Sequence, residues 1–199
     1  MKKFLLPIIF SILIFSNSIA VEYNSEPKIF ITELVADALK ILEDKSISKE
    51  KKAKQIEQIA LNNVDIIALG MYTLGDIRKT LDKSSLDKYN NLFQKYFLKS
   101  LTSRLTDYSS SKFEVLKADQ KSANYTIVES RITESSGQPE IKINWRVYTK
   151  NPLKPLVRDL IVEGLSLART QKEEFASILS SNNNDFNILL SKIEEFINK

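Results

Sequence analysis

The chain has 199 residues with 29 basic and 25 acidic side chains, and it contains neither histidine nor cysteine. That absence removes Ser-His-Asp and Cys-His nucleophile systems, the commonest general base, ordinary zinc sites, disulfides and a lipid-modified cysteine. The length suits one domain with at most small appendages.

The first twenty residues do not belong to that domain. Lys2 and Lys3 form a basic start, Phe4 to Phe15 is a nearly unbroken apolar run, and Ser18 and Ala20 supply the small residues of a cleavage site. Twelve apolar residues are fewer than the ~20 that span a bilayer. The segment 1–20 therefore reads as a secretory signal, leaving residues 21–199 as an exported domain. Without cysteines to form disulfides, the compartment expected is a bacterial periplasm. Removing Lys2 and Lys3 leaves 27 basic against 25 acidic side chains, so half of the apparent net charge belongs to the signal. The Lys49–Lys54 cluster reads as a solvated helix face. Nucleic-acid binding would require a basic stripe with interleaved aromatics, and none is visible.

Pro27 to Leu42 has Ile29, Phe30, Leu34, Val35, Ala38 and Ile41 at helical spacing, with a proline at the expected start. Ser48 is placed to cap a second helix with Ile56, Ile59 and Ala60 inside. The run Val64 to Gly75 predicts a third. Gly70 and Gly75 have the spacing of a phosphate loop, but Asp76 stands where its lysine should be, and no strand precedes them. Ser85 to Tyr108 predicts the longest helix, with an aromatic stripe that includes Tyr89, Phe93, Phe97 and Leu101.

The period then changes to two. Segments beginning at Lys112, Ala123, Glu140 and Pro155 read as four strands. In the third, Ile141, Ile143, Trp145 and Val147 face one side, while Lys142, Asn144, Arg146 and Tyr148 face the other, as in an antiparallel sheet with one covered face. In the fourth, Leu160 and Val162 face away from Asp159 and Glu163. Those two carboxylates would lie roughly 13 Å apart on a straight strand, beyond the ~5–9.5 Å that a glycosidase pair needs. Two helices, Thr170 to Ser180 and Asp185 to Asn198, close the chain. Helices, a strand meander, then helices make an α+β fold. The residues alone leave an apolar ligand, a partner protein and a structural role unseparated.

The arrangement Asp159, apolar run, Glu163-Gly164, apolar, Ser166, followed by a helix with Phe175, resembles the C-terminal signature of the MlaC family of periplasmic phospholipid-binding shuttles, also called toluene-tolerance auxiliary proteins. The Asp65-to-Gly75 segment, the aromatic helix and the meander fall in the family's order. Pro155 stands where the family often has tryptophan, and Lys172 where it has arginine.

The resemblance implies a curved four-stranded antiparallel sheet wrapped by N- and C-terminal helices, similar to NTF2/cystatin-like folds, enclosing an apolar cavity for the acyl chains of a glycerophospholipid. It implies no enzyme activity, no cofactor and no metal. It implies a monomer that carries lipid between an outer-membrane lipoprotein–porin complex and an inner-membrane ABC-type transporter, maintaining outer-membrane lipid asymmetry. Exposing acyl chains to water costs about 0.8 kcal/mol per methylene, which is why such a carrier is needed.

The lining expected is Ile143, Trp145, Val147, Leu160 and Val162 from the sheet, opposed by Phe93, Phe97 and Leu101 from the long helix. A cavity there would let Val147→Glu and Val162→Glu stay folded, whereas a filled core would not. Two rival readings stay open. An NTF2-like small-molecule enzyme would show a convergent carboxylate and base in a polar pocket. A periplasmic chaperone-like protein binder would show an exposed apolar groove.

Overall fold

The computed structural model describes residues 22–105, 111–134 and 139–199. The expected signal segment, the cleavage point before Val21, Tyr108 and the turn at 135–137 lie outside them.

Among the described residues, six α-helices and five strands follow one another: α1 (Pro27–Glu43), α2 (Lys49–Asn63), α3 (Ile66–Thr73), α4 (Lys83–Leu105), β1 (Ser111–Ser122), β2 (Tyr125–Glu134), β3 (Ile141–Tyr148), β4 (Leu156–Val162), β5 (Leu165–Ser166), α5 (Leu167–Ser180) and α6 (Phe186–Asn198). A 3-10 turn, Gly75–Lys79, joins α3 to α4. The helix starts are built by side chains that satisfy orphan backbone donors. Ser48 accepts from the Lys51 amide, Asp65 from Ala68 and Asp185 from Asn187. Glu26 accepts from Lys28 and Ile29 ahead of the Pro27 start.

The strands form one antiparallel sheet in the order β1-β2-β3-β4-β5. Sequence periodicity predicts four strands; the fifth is only two residues long, too short to leave an alternating pattern. Residues paired across strands share a face, and the register separates the two faces by chemistry. The apolar face carries Val128 beside Trp145, Trp145 beside Leu160, and Ile143 beside Val162. The opposite face carries Glu114 beside Arg131 and Arg146 beside Asp159.

The β3–β4 register slips by one residue: Arg146 pairs with Asp159, but Val147 pairs with Val157. Arg158 is thus the extra residue of a bulge, and Val157 joins Leu160 on the apolar face although the two are three apart. Packing follows the faces. Helix α1 covers the apolar face with Phe30, Ile31, Leu34 and Val35 against Val128, Val147 and Val157. Helices α3 to α6 form a second apolar cluster around Tyr89, Phe93, Phe175 and Leu189, and α3 and α5 join it to β4.

Candidate functional site

Where β4 meets α3 and α5, the polar face of the sheet is partly roofed. Tyr125, Arg146 and Arg158 rise from β2, β3 and β4, Ala68, Leu69 and Tyr72 come from α3, and Ala168 comes from the first turn of α5. Together they line a cleft of about 220 Å³. Its floor is apolar, since Leu69 and Ala168 belong to the helical cluster. Its mouth is basic and aromatic.

Each wall is fixed by identifiable bonds. Val64 makes a parallel bridge to Val157, and the Asp65 amide donates to the Val157 carbonyl at 2.9 Å, which sets α3 against β4. The bulge lets Arg158 point back across the sheet. Its Nε donates to Asp65 at 2.8 Å and its Nη1 to the Tyr125 hydroxyl at 3.0 Å. The guanidinium also lies over the Tyr148 ring, 3.4 Å from the centroid. Burial opposes the charge of Arg158, but the Tyr125 and Asp65 bonds outweigh it and hold its pKa above the ordinary value.

The Asp159–Ser166 stretch builds the other wall. Glu163 (φ 48°) and Gly164 (φ 82°) both take the left-handed conformation, which turns β4 into β5. The Glu163 carboxylate accepts the Lys142 amide and pins that turn to β3. The side chain of Ser166 is the N-cap of α5, accepting from Arg169 at 3.1 Å. Asp159, almost wholly enclosed, accepts the Ser166 hydroxyl at 2.6 Å and the Ala168 amide at 3.0 Å. Both carboxylates of the motif are structural fasteners, and Asp159 at a helix N-terminus is also favoured by the helix dipole.

The eight residues expected to line a pocket fall into two groups. Phe93 lies in the helical cluster, stacked on Tyr89 with centroids 5.6 Å apart and edge-on to Phe175. Phe97 and Leu101 are half-buried at its margin. Trp145, Val147 and Leu160 belong to the cluster under α1, and the Trp145 indole donates to Ser130 at 2.9 Å. Ile143 and Val162 pair beside them, half-buried. The two groups do not face each other as one wall, because α1 occupies the apolar face and α4 packs on α2, α3 and α6.

Periodicity placed Arg146 and Tyr148 on the other face but gave no reason to read that face as anything except solvated. Arg158 depends on the bulge, which leaves no mark in the alternation. Among the described residues, no cluster of acidic side chains could hold a metal, and no helix is long and apolar enough to cross a membrane.

Fold and cleft together define an α+β domain with an open antiparallel sheet, flanking helices and a recess on the sheet's polar side. The sequence matches the family described as MlaC protein over residues 32–195, so the chain belongs to the MlaC family. No curated protein matches it by sequence. Among solved structures, the fold is similar to that of a phospholipid-binding protein from Ralstonia solanacearum, solved in complex with a phospholipid. The TM-score is 0.73 at 16% identity, covering 88% of this chain and 97% of that one.

Proposed function

We propose that this protein is a periplasmic phospholipid carrier that moves glycerophospholipid between the outer and inner membranes and so maintains outer-membrane lipid asymmetry. The observation that carries the reading is the cleft: a basic, aromatic mouth over an apolar floor continuous with the helical core, in a chain of the MlaC family. The phospholipid held by the Ralstonia protein supports the same ligand class. Among the described residues, the two carboxylates nearest the cleft are engaged, Asp65 by Arg158 and Asp159 by the start of α5, which favours binding over acid–base catalysis. Docking partners on the two membranes would be a lipoprotein–porin complex and an ABC-type transporter, served by a monomer.

A volume of about 220 Å³ is below the roughly 300–1,000 Å³ of ordinary small-ligand pockets. The lipid-loaded form is therefore expanded relative to this one. Acyl chains would pass the cleft floor and part the helical cluster along Phe93, Phe97 and Leu101. The sheet residues Ile143, Trp145, Val147, Leu160 and Val162 would stay outside that space, on the apolar face that α1 covers.

The test is expression of the full chain, detergent-free recovery of the exported form, native mass spectrometry and lipid extraction. A protein carrying phospholipid is expected. Lipid-free protein that also fails to take phospholipid from vesicles would refute the carrier.

A further inference from the structure

Two arginines reach the cleft, and the fold uses them differently. Arg158 is committed to Asp65, Tyr125 and the Tyr148 ring. Arg146, one strand away, has a single partner among the described residues. That partner is the Asp159 carboxylate, 3.6 Å from Nη1 and outside hydrogen-bond range. The Arg146 side chain is 42% exposed, whereas that of Asp159 is 1% exposed.

The two arginines and two carboxylates around the cleft balance in number but not in exposure. Asp65 and Arg158 neutralise each other. Asp159 is satisfied by the Ser166 hydroxyl, the Ala168 amide and the partial positive charge of the α5 N-terminus. A guanidinium is left at the cleft mouth with its planar fork of donors available to a ligand. Asp159 lies behind it and, being enclosed, orients Arg146 without meeting the ligand itself.

We infer that Arg146 is the residue that grips the phosphodiester of the bound lipid and so discriminates phospholipids from neutral lipids. The inference rests on the carrier reading and adds a specificity determinant to it. A guanidinium offers two parallel N–H bonds to two phosphate oxygens, which an ammonium cannot match in geometry. A phosphate at Arg146 leaves the acyl chains facing Leu69 and Ala168, where the floor is apolar. The neutral diacylglycerol of the same chains gains the apolar contacts and forfeits the charged one. Inorganic phosphate offers the same acceptors, so the experiment must separate the two sources.

The exported protein, its Arg146→Gln and its Arg146→Lys variants are incubated with vesicles containing phosphatidylglycerol or diacylglycerol of identical acyl chains. Uptake is read by mass spectrometry, and melting curves verify folding. Wild type should favour phosphatidylglycerol on the order of ten-fold, the scale of one charge-assisted bond at a half-exposed site. Arg146→Gln should lose that preference, its phosphatidylglycerol uptake falling toward its diacylglycerol uptake, and Arg146→Lys should keep part of it. An unaltered preference in Arg146→Gln overturns the inference and leaves the carrier standing. Phosphorus NMR showing Arg146-dependent binding of inorganic phosphate, with no lipid preference, also overturns it in favour of a free-phosphate site. Uptake of neither lipid by wild type overturns the carrier reading, and this inference with it.

Discussion

Asp159 accepts the backbone N–H of Ala168 at 3.0 Å, a bond that fastens the last long strand of the sheet to the first turn of α5. The same carboxylate accepts the Ser166 hydroxyl at 2.6 Å, so one buried side chain organises both the cap and the cleft wall. This explains why an acid, a turn and a serine occur together in the sequence: the acid must lie opposite the helix start that the turn delivers.

Removing the Asp159 carboxylate strands the buried Ala168 amide and a part-buried Ser166 hydroxyl, a loss of about 1–3 kcal/mol. Asp159→Ala is expected to lower Tm by several degrees, at roughly 2–4 °C per kcal/mol for a domain of this size. Asp159→Asn, which keeps an acceptor for Ala168, should lose less. Differential scanning calorimetry of the two variants checks the order. Equal Tm for wild type and Asp159→Ala would show the fastening to be dispensable.

A second close relationship links α3 to α4. A Cβ on Gly70 would lie 2.9 Å from Cδ1 of Phe93, a ring held in place by Tyr89, Phe97 and Phe175. Gly70→Ala gains about 1 kcal/mol of helix propensity but overpacks the contact at about 1–3 kcal/mol. Net destabilisation is expected, with partial rescue by Phe93→Leu. A denaturation midpoint at or above wild type in Gly70→Ala would contradict it.

Tyr89 gives an alkaline signature. Burial pushes its phenol well above the ordinary value of 10.0, although its hydrogen bond with Thr73 acts the other way. A tyrosine whose folded pKa is raised contributes stability that is whole below pH 10 and is lost as pH climbs above it, because only the unfolded chain ionises readily there. Tm should therefore be level from pH 7 to about 9 and then decline. In Tyr89→Phe the decline should be shallower, since Tyr23, raised by burial and by Asp37, remains. Parallel decline in both proteins would assign the alkaline loss elsewhere.

Much of this fold is legible in the residues. Pro27 and Ser48 mark helix starts that the structure confirms, α5 begins at Leu167 rather than at the expected Thr170, and the alternation in β3 separates Trp145 and Val147 from Arg146 and Tyr148. Elements declare themselves through local chemistry, and here that chemistry is consistent. The site is less legible because it depends on relations between elements. The bulge at Arg158 changes which β4 residues face inward, and only pairing with β3 reveals it. Nor does an apolar stripe on α4 say which surface it meets: Phe93 finds Phe175 and Gly70, while Val147 finds α1.

The separation of the two apolar groups can be tested with paired charges. Val147 is 0% exposed and sits with Phe30, Ile31, Val128 and Val157 between the sheet and α1. A glutamate there has no partner and no route to water. The cost is several kcal/mol, since an unpaired buried charge is among the most damaging single changes. Val162, by contrast, is half-buried next to the β4–β5 turn, close to the exposed Glu163 and Gly164. A glutamate at 162 can turn its carboxylate outward and should cost much less. Val147→Glu is therefore expected to be unfolded or recovered only in inclusion bodies. Val162→Glu should melt cooperatively within a few degrees of wild type, and its phospholipid content then reports whether that end of the sheet meets the acyl chains. Circular dichroism with lipid extraction decides the matter. A cooperatively folded Val147→Glu would mean that the space beneath α1 opens as a cavity, and would restore the single continuous lipid wall that alternation predicts.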